Sequence, residues 1–147
     1  MPERAILERL RAAVGTRNVL VDDAERAPYE RDATGRYLGR AMAVVRPDST
    51  EEVAAVLEVA HGAGLPVIPV GGNTGLSGGT FPGRDGRAIM LDLRRMNRIR
   101  EIRPEARVAV VEAGVILDDL RAAAEAHDLV FPLVFGARGS CTIGGNL

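Results

Sequence analysis

Lysine is absent from this 147-residue sequence, and all 19 basic residues are arginine. A phosphate loop of the Walker type needs a lysine after its glycines, so that class of nucleotide site is excluded. There is a single cysteine, Cys141, which permits no internal disulfide. Aromatic residues make up 3% of the chain, leaving little surface on which nucleic-acid bases could stack. No apolar run approaches the roughly 18 residues that a membrane helix requires. The start, Met1 to Arg11, is rich in charge and lacks the apolar stretch that follows the basic start of a signal peptide. The cytoplasm is the expected compartment, with no membrane span and no nucleic-acid partner.

What is present describes one folded domain. A compact chain of this length buries roughly 68 to 70% of its unfolded surface. The apolar share of 46% and charged share of 27% are those of a globular protein. The net charge of −1 argues against a nucleic-acid footprint. A local basic run, Arg94, Arg95, Arg98, Arg100 and Arg103, reads as solvated strand-face and turn positions.

Ile6, Leu7, Leu10 and Val14 recur at helical spacing among Glu and Arg, predicting an amphipathic helix over 3–14. The polar stretch from Gly15 to Arg40 carries Pro28, Gly35 and Gly39 as breakers and reads as a surface excursion with at most short strands and no chemistry. Ala43 to Val45 forms a strand that ends at Pro47, and Ser49 with Glu52 has capping-box spacing for a helix whose stripe is Val53, Val56, Leu57 and Ala60. Gly62 and Gly64 end that helix before a second apolar strand, Pro66 to Val70. Three more strands, Ala88–Leu93, Arg98–Arg103 and Arg107–Glu112, are expected to meander antiparallel. A last helix runs from Leu117 to about His127, with Asp118 and Asp119 in its first turn, where the helix dipole favours negative charge. The order describes one α+β domain: an N-terminal helix and excursion over 1–40, then a unit over 41–147.

Two glycine-rich loops stand out. The first, Gly71-Gly72-Asn73-Thr74-Gly75-Leu76-Ser77-Gly78-Gly79, follows a buried strand directly. Glycines let main-chain amides approach a ligand, and successive amides in such a turn form an anion-binding nest that suits a pyrophosphate. The spacing is not the G-x-G-x-x-G of a Rossmann turn, and on spacing alone the loop reads equally as a mobile Gly/Ser connection. The second stretch begins Phe131-Pro132-Leu133 and continues Gly136-Ala137-Arg138-Gly139-Ser140-Cys141-Thr142-Ile143-Gly144-Gly145-Asn146, with one arginine available for a negative group.

Four segments in this order resemble the FAD-binding domain shared by vanillyl-alcohol oxidase and p-cresol methylhydroxylase relatives: Arg46-Pro47 with the helix from Ser49, the loop from Pro69 to Gly79, Met96-Asn97-Arg98-Ile99 followed by Val110 to Gly114, and Gly136 to Asn146. Within that family they are most similar to the D-2-hydroxyglutarate dehydrogenase, D-lactate dehydrogenase and glycolate oxidase group. The resemblance implies a PCMH-type α+β fold with its first subdomain complete and its second truncated at the C-terminal end. It implies that Gly71, Gly72, Asn73, Thr74, Gly75 and Leu76 wrap the FAD pyrophosphate. Pro132, Gly136, Gly139, Ser140, Thr142, Ile143, Gly144 and Gly145 would contact the ribityl and flavin side. Some relatives tether FAD through a histidine where this sequence has Asn73, so noncovalent FAD is expected. Val70 stands where close relatives often carry a polar or basic side chain.

The remaining reactive residue types read as structural. Cys141 has no basic partner nearby in sequence and suits packing. His61 and His127 fall at helix ends, where an imidazolium complements free carbonyls. Glu112, Ala113 and Gly114 end a strand at a position similar to the family's; Glu112 reads as an exposed strand-end carboxylate, with a flavin contact as the alternative. No metal-ligand cluster is visible. The resemblance implies oxidation of a D-2-hydroxy acid to the 2-oxo acid, with substrate, base and any metal ligands supplied by later parts of the relatives. The expectation is therefore a fragment that has no turnover alone and carries exposed apolar surface at its unfinished C-terminal edge. The alternative is a stand-alone or split-subunit binding module completed by a partner chain.

Overall fold

The computed structural model describes all residues 1–147. The elements are α1 (Glu3–Val14), β1 (Val19–Leu20), α2 (Asp23–Arg26), β2 (Ala41–Val45), α3 (Thr50–Ala63), β3 (Val67–Val70), β4 (Ala88–Asp92), β5 (Ile99–Arg103), β6 (Val108–Val111) and α4 (Leu117–Glu125). Single 3-10 turns follow α1 and close the chain at Ile143–Gly145.

A four-stranded sheet in the order β1-β2-β4-β3 forms the first half. β2 and β3 both run parallel to β4, and β1 runs antiparallel to β2. The burial of β4 is complete from Ala88 to Asp92, as a central parallel strand requires. This corrects the expected meander: of its three strands only β5 and β6 pair antiparallel, as a separate two-stranded sheet. The short connection through Pro104 supports that hairpin, whereas the chain from β3 to β4 is long enough to return in parallel.

One face of the four-stranded sheet is covered by α1 and α3. Ile6, Leu10 and Val14 meet Val56, Val59 and Ala60 over Ala43, Val45, Ile89 and Leu91 in one cluster. In α3 the stripe differs from the expected one at a single residue: Val56 and Ala60 are buried and Val53 packs beside them, but Leu57 is 44% exposed and Val59 is buried instead. Ser49 Oγ accepts from the Glu52 amide at 3.1 Å, but the Glu52 carboxylate reaches the Asp48 amide instead of completing a reciprocal box. Gly64 ends the helix with φ of 62°, in the left-handed region that favours glycine.

The other face is covered by the excursion. Tyr29 and Leu20 pack with Ala41, Val44, Val70 and Met90. Residues 1–40 thus contribute to both sides of the same sheet. A third cluster, Val115, Leu117, Leu120, Cys141 and Ile143, joins α4 to the chain's last turn. Cys141 is 3% exposed and packs there, and its sulfur accepts from Asn146 Nδ2 at 3.5 Å.

The face formed by β5, β6 and α4 carries an apolar groove of about 610 Å³, lined among others by Ile102, Val108, Val110, Leu129, Val130 and Phe131. No helix is long and apolar enough to cross a membrane.

Candidate functional site

The two glycine loops meet. The first leaves the C-terminal end of β3, and the second runs back past the start of α4. Ile143 N donates to Val115 O at 2.8 Å and Gly144 N to Ala113 O at 2.9 Å, which sews the second loop to the end of β6. Between the loops lies a cleft of about 430 Å³ whose lining includes Gly71 to Gly75, Thr80, Ala113, Phe135, Thr142 and Gly144 to Asn146. No Asp, Glu, Arg or His lines it.

The N–H groups of Gly71, Gly72, Asn73, Thr74 and Gly75 donate to no acceptor of the protein. Main-chain donors are rarely left unmade without a partner from water or ligand. Five consecutive free donors beside a cleft without carboxylates are the arrangement that an anion takes when no side-chain cation is present.

Of the residues singled out in the sequence, Gly71, Gly72, Asn73, Thr74, Gly75, Thr142, Gly144 and Gly145 line this cleft. Six do not. Leu76 is 66% exposed, and Pro132, Gly136, Gly139 and Ser140 lie at the surface outside the lining. Ile143 is 5% exposed in the third core cluster, where its apolar side chain is drawn by Leu117 and Leu120. Ala113 and Asn146 line the cleft from within the quoted segments without having been assigned a contact, and Thr80 and Phe135 line it from outside them; a small residue or lone aromatic outside a glycine run carries no sequence signal of its own. Arg138 does not turn to the cleft: its Nε lies 3.5 Å from Asp118.

The glycines have different roles. A Cβ on Gly71 would collide with Thr142, and one on Gly72 with the Ser140 carbonyl. These two positions are glycine because the second loop presses on them, so a side chain at 72 strikes protein before it strikes any ligand. Gly75 has open space where a Cβ would stand. Asn73 has φ of 52°, a conformation that asparagine tolerates. Its side chain turns away from the cleft: Nδ2 donates to Pro28 O at 3.3 Å and Arg31 O at 3.0 Å, and Oδ1 accepts from Thr80 Oγ1 at 2.7 Å.

Behind the first loop a buried carboxylate and tyrosine, with a half-exposed arginine, tie sheet to excursion. Asp92, 2% exposed, accepts from Tyr29 Oη at 2.9 Å and from Arg94 Nε at 2.9 Å, and Arg94 Nη2 donates to Tyr29 Oη at 2.7 Å. Burial, with Asp92 beside it, pushes the Tyr29 hydroxyl above its ordinary range. Hydrogen bonding to Asp92 raises Arg94 further.

The rest of the basic run is likewise paired. Arg95 meets Asp48 at 2.6 Å, Arg98 and Arg100 meet Glu112 at 2.9 and 3.1 Å, and Arg103 meets Glu101 at 2.6 Å. The arginines keep the solvated strand-face and turn positions expected of them, each with a partner. The expectation for Glu112 is revised: it is 4% exposed, with the Arg98 amide also donating to it at 2.8 Å. Those bonds hold its carboxyl down at about 2.

With this geometry established, comparison with known proteins gives one picture. A family model described as an FAD binding domain matches residues 41–147. D-2-hydroxyglutarate dehydrogenase of Xanthomonas citri pv. viticola is 38% identical over 138 residues, which cover 94% of this chain and 29% of that protein. Glycolate oxidase subunit GlcD of Escherichia coli K12 is 36% identical over 143 residues, 97% of this chain and 28% of the subunit. Among solved structures, substrate-bound p-cresol methylhydroxylase superposes with a TM-score of 0.72 at 24% identity, over 93% of this chain and 27% of that one. The chain spans less than a third of the length of these proteins. The fold is the PCMH-type α+β arrangement, and the chain belongs to the FAD binding domain family.

Proposed function

We propose that this chain holds FAD noncovalently as the cofactor-binding part of a cytoplasmic oxidoreductase that oxidises a D-2-hydroxy acid to the 2-oxo acid. The observation that carries the reading is the row of five unpaired amides, Gly71 to Gly75, along a cleft without carboxylates. A diphosphate fits it: main-chain donors stabilise its charge, and Thr74 and Thr142 add hydroxyls. Gly144 and Gly145 add no side chain to the opposite wall, which suits the ribityl and ring side of the cofactor. Ser140, through its carbonyl against Gly72, and Ile143, in the third core cluster, support these walls from behind.

Noncovalent attachment is supported by residue 73, whose side chain is an asparagine committed to the far side of the loop. When bound, FAD supplies the acceptor for a two-electron oxidation. The protein's part is to hold and orient it. The cleft lining contains no carboxylate or imidazole able to take a substrate proton, so these 147 residues alone are expected to show no turnover. The choice of a 2-hydroxy acid rests on the named relatives.

The test is to add FAD to the chain, remove free flavin by gel filtration and record the visible spectrum. Flavin absorption that stays with the protein supports the reading, and a colourless protein fraction refutes it.

The apolar groove on β5, β6 and α4 favours a second reading that is compatible with the first: this face is covered by a further protein segment, in the same chain or in a partner. Light scattering over a concentration series tests it, with association expected and a monomer throughout counting against it.

A further inference from the structure

The excursion lies against the first glycine loop at three places. Near the loop's start, Asn73 Nδ2 reaches the carbonyls of Pro28 and Arg31. Toward its end, Gly78 has φ of 75° and no room for a Cβ against the Tyr37 ring, which also packs in a tilted arrangement on Phe81, with ring centroids 5.9 Å apart. Beyond its end, Arg40 N donates to Gly83 O at 2.8 Å. Only Asn73 joins three segments at once, since its Oδ1 also receives Thr80 Oγ1. It sits in the middle of the free amides, in a left-handed conformation that its own side-chain bonds help to hold.

We propose that Asn73 is a positioning residue: its amide clasps residues 28–40 to the first glycine loop, and closure of this strap and retention of the diphosphate ligand are thermodynamically linked. The physical reason is that a loop of small residues has many accessible conformations, and converging several amides on one anion has an entropic cost. Fixing residue 73 from behind, through carbonyls of a separate segment, lowers that cost before the ligand arrives. By reciprocity, a ligand that orders the amides must also close the strap. The linkage rests on the FAD reading above, whereas the clasp stands on the geometry alone.

The informative variant is Asn73→Gly, because glycine keeps the left-handed backbone and removes only the amide. Thr80→Val is the second variant, removing one bond of the clasp from the other side. Every basic residue is arginine, so trypsin cuts within the strap only at Arg31, Arg36 and Arg40. Cleavage there, relative to Arg4 and Arg9 as internal references, reads strap opening without any cofactor. Flavin-free Asn73→Gly is expected to be cut in the strap about tenfold faster than the parent, the scale of losing one or two net hydrogen bonds. FAD is expected to slow strap cleavage of the parent, and the variant to hold FAD about tenfold more weakly.

Parental cleavage rates in flavin-free Asn73→Gly would overturn the clasp. Faster cleavage with unchanged FAD affinity would overturn the linkage. A parent that takes up no FAD would refute the cofactor reading, while the flavin-free cleavage rates would still decide the clasp. If Asn73→Gly fails to fold, strap cleavage of Thr80→Val decides the same question: an unchanged rate overturns the clasp, and an increased rate supports it.

Discussion

The α-carbon of Gly72 faces the main-chain carbonyl of Ser140 so closely that no Cβ fits between them. The first loop therefore depends on the second for its shape. Gly72→Ala is expected to destabilise the protein by about 1–3 kcal/mol, the usual cost of overpacking. Gly75→Ala, with open space around its Cβ, is expected to change stability by less than about 0.5 kcal/mol. Urea unfolding of both variants checks the contrast, and equal stabilities would refute the loop contact.

Glu112 should govern acid stability. Its carboxyl is held at about 2 by Arg98 and Arg100, below the ordinary value of 4.5, so the ionised form favours the folded state. Its contribution is complete above pH 4.5 and is lost as the pH falls toward 2. Glu112→Gln should flatten the pH dependence of stability in that window. Parallel acid titrations of the melting temperature test this, and identical slopes would count against it.

Tyr29 places its hydroxyl between Asp92 and Arg94. Tyr29→Phe deprives a buried carboxylate of a donor and is expected to cost about 1–3 kcal/mol. Asp92→Asn should cost at least as much, because Arg94 then loses its counter-charge. Chemical denaturation measures both, and a double variant should show non-additive losses, since the residues form one network.

Cys141 offers a reporter of the second loop. At 3% exposure its thiol should react with a disulfide reagent only through opening of the chain. The folded protein is expected to react at least tenfold more slowly than the urea-unfolded one. Equal rates would mean that the loop does not cover the sulfur.

Much of the first sheet is legible in the sequence because its signals are local. Ser49 and Glu52 mark the start of α3, Gly64 its end, and the apolar runs at 41–45 and 88–92 need burial on both faces. What escapes is set by partners distant in sequence. Nothing local distinguishes a parallel β4 from a meander, since the register with β2 and β3 is decided across the sheet. Glu112 reads as exposed because Arg98 and Arg100 lie across a hairpin from it. The glycine loops are visible as loops, but the reason for Gly72 lies at Ser140, and that for Asn73 lies at Pro28 and Arg31. Of the excursion, composition conveys only polarity, although Tyr29 packs under the sheet.

The FAD binding domain match has its border at Ala41, although relatives are similar over 94 to 97% of the chain, and cooperativity begins much earlier in the chain. α1 supplies Ile6, Leu10 and Val14 to the core over β2 and β4, and β1 extends the sheet on its β2 side. Anyone transplanting this flavin module into a chimera at that border would strip one wall from the core and bare Val45 and Ile89 to water. The transferable unit therefore starts near Glu3, and a graft that honours this should stay dispersed where the shorter one precipitates.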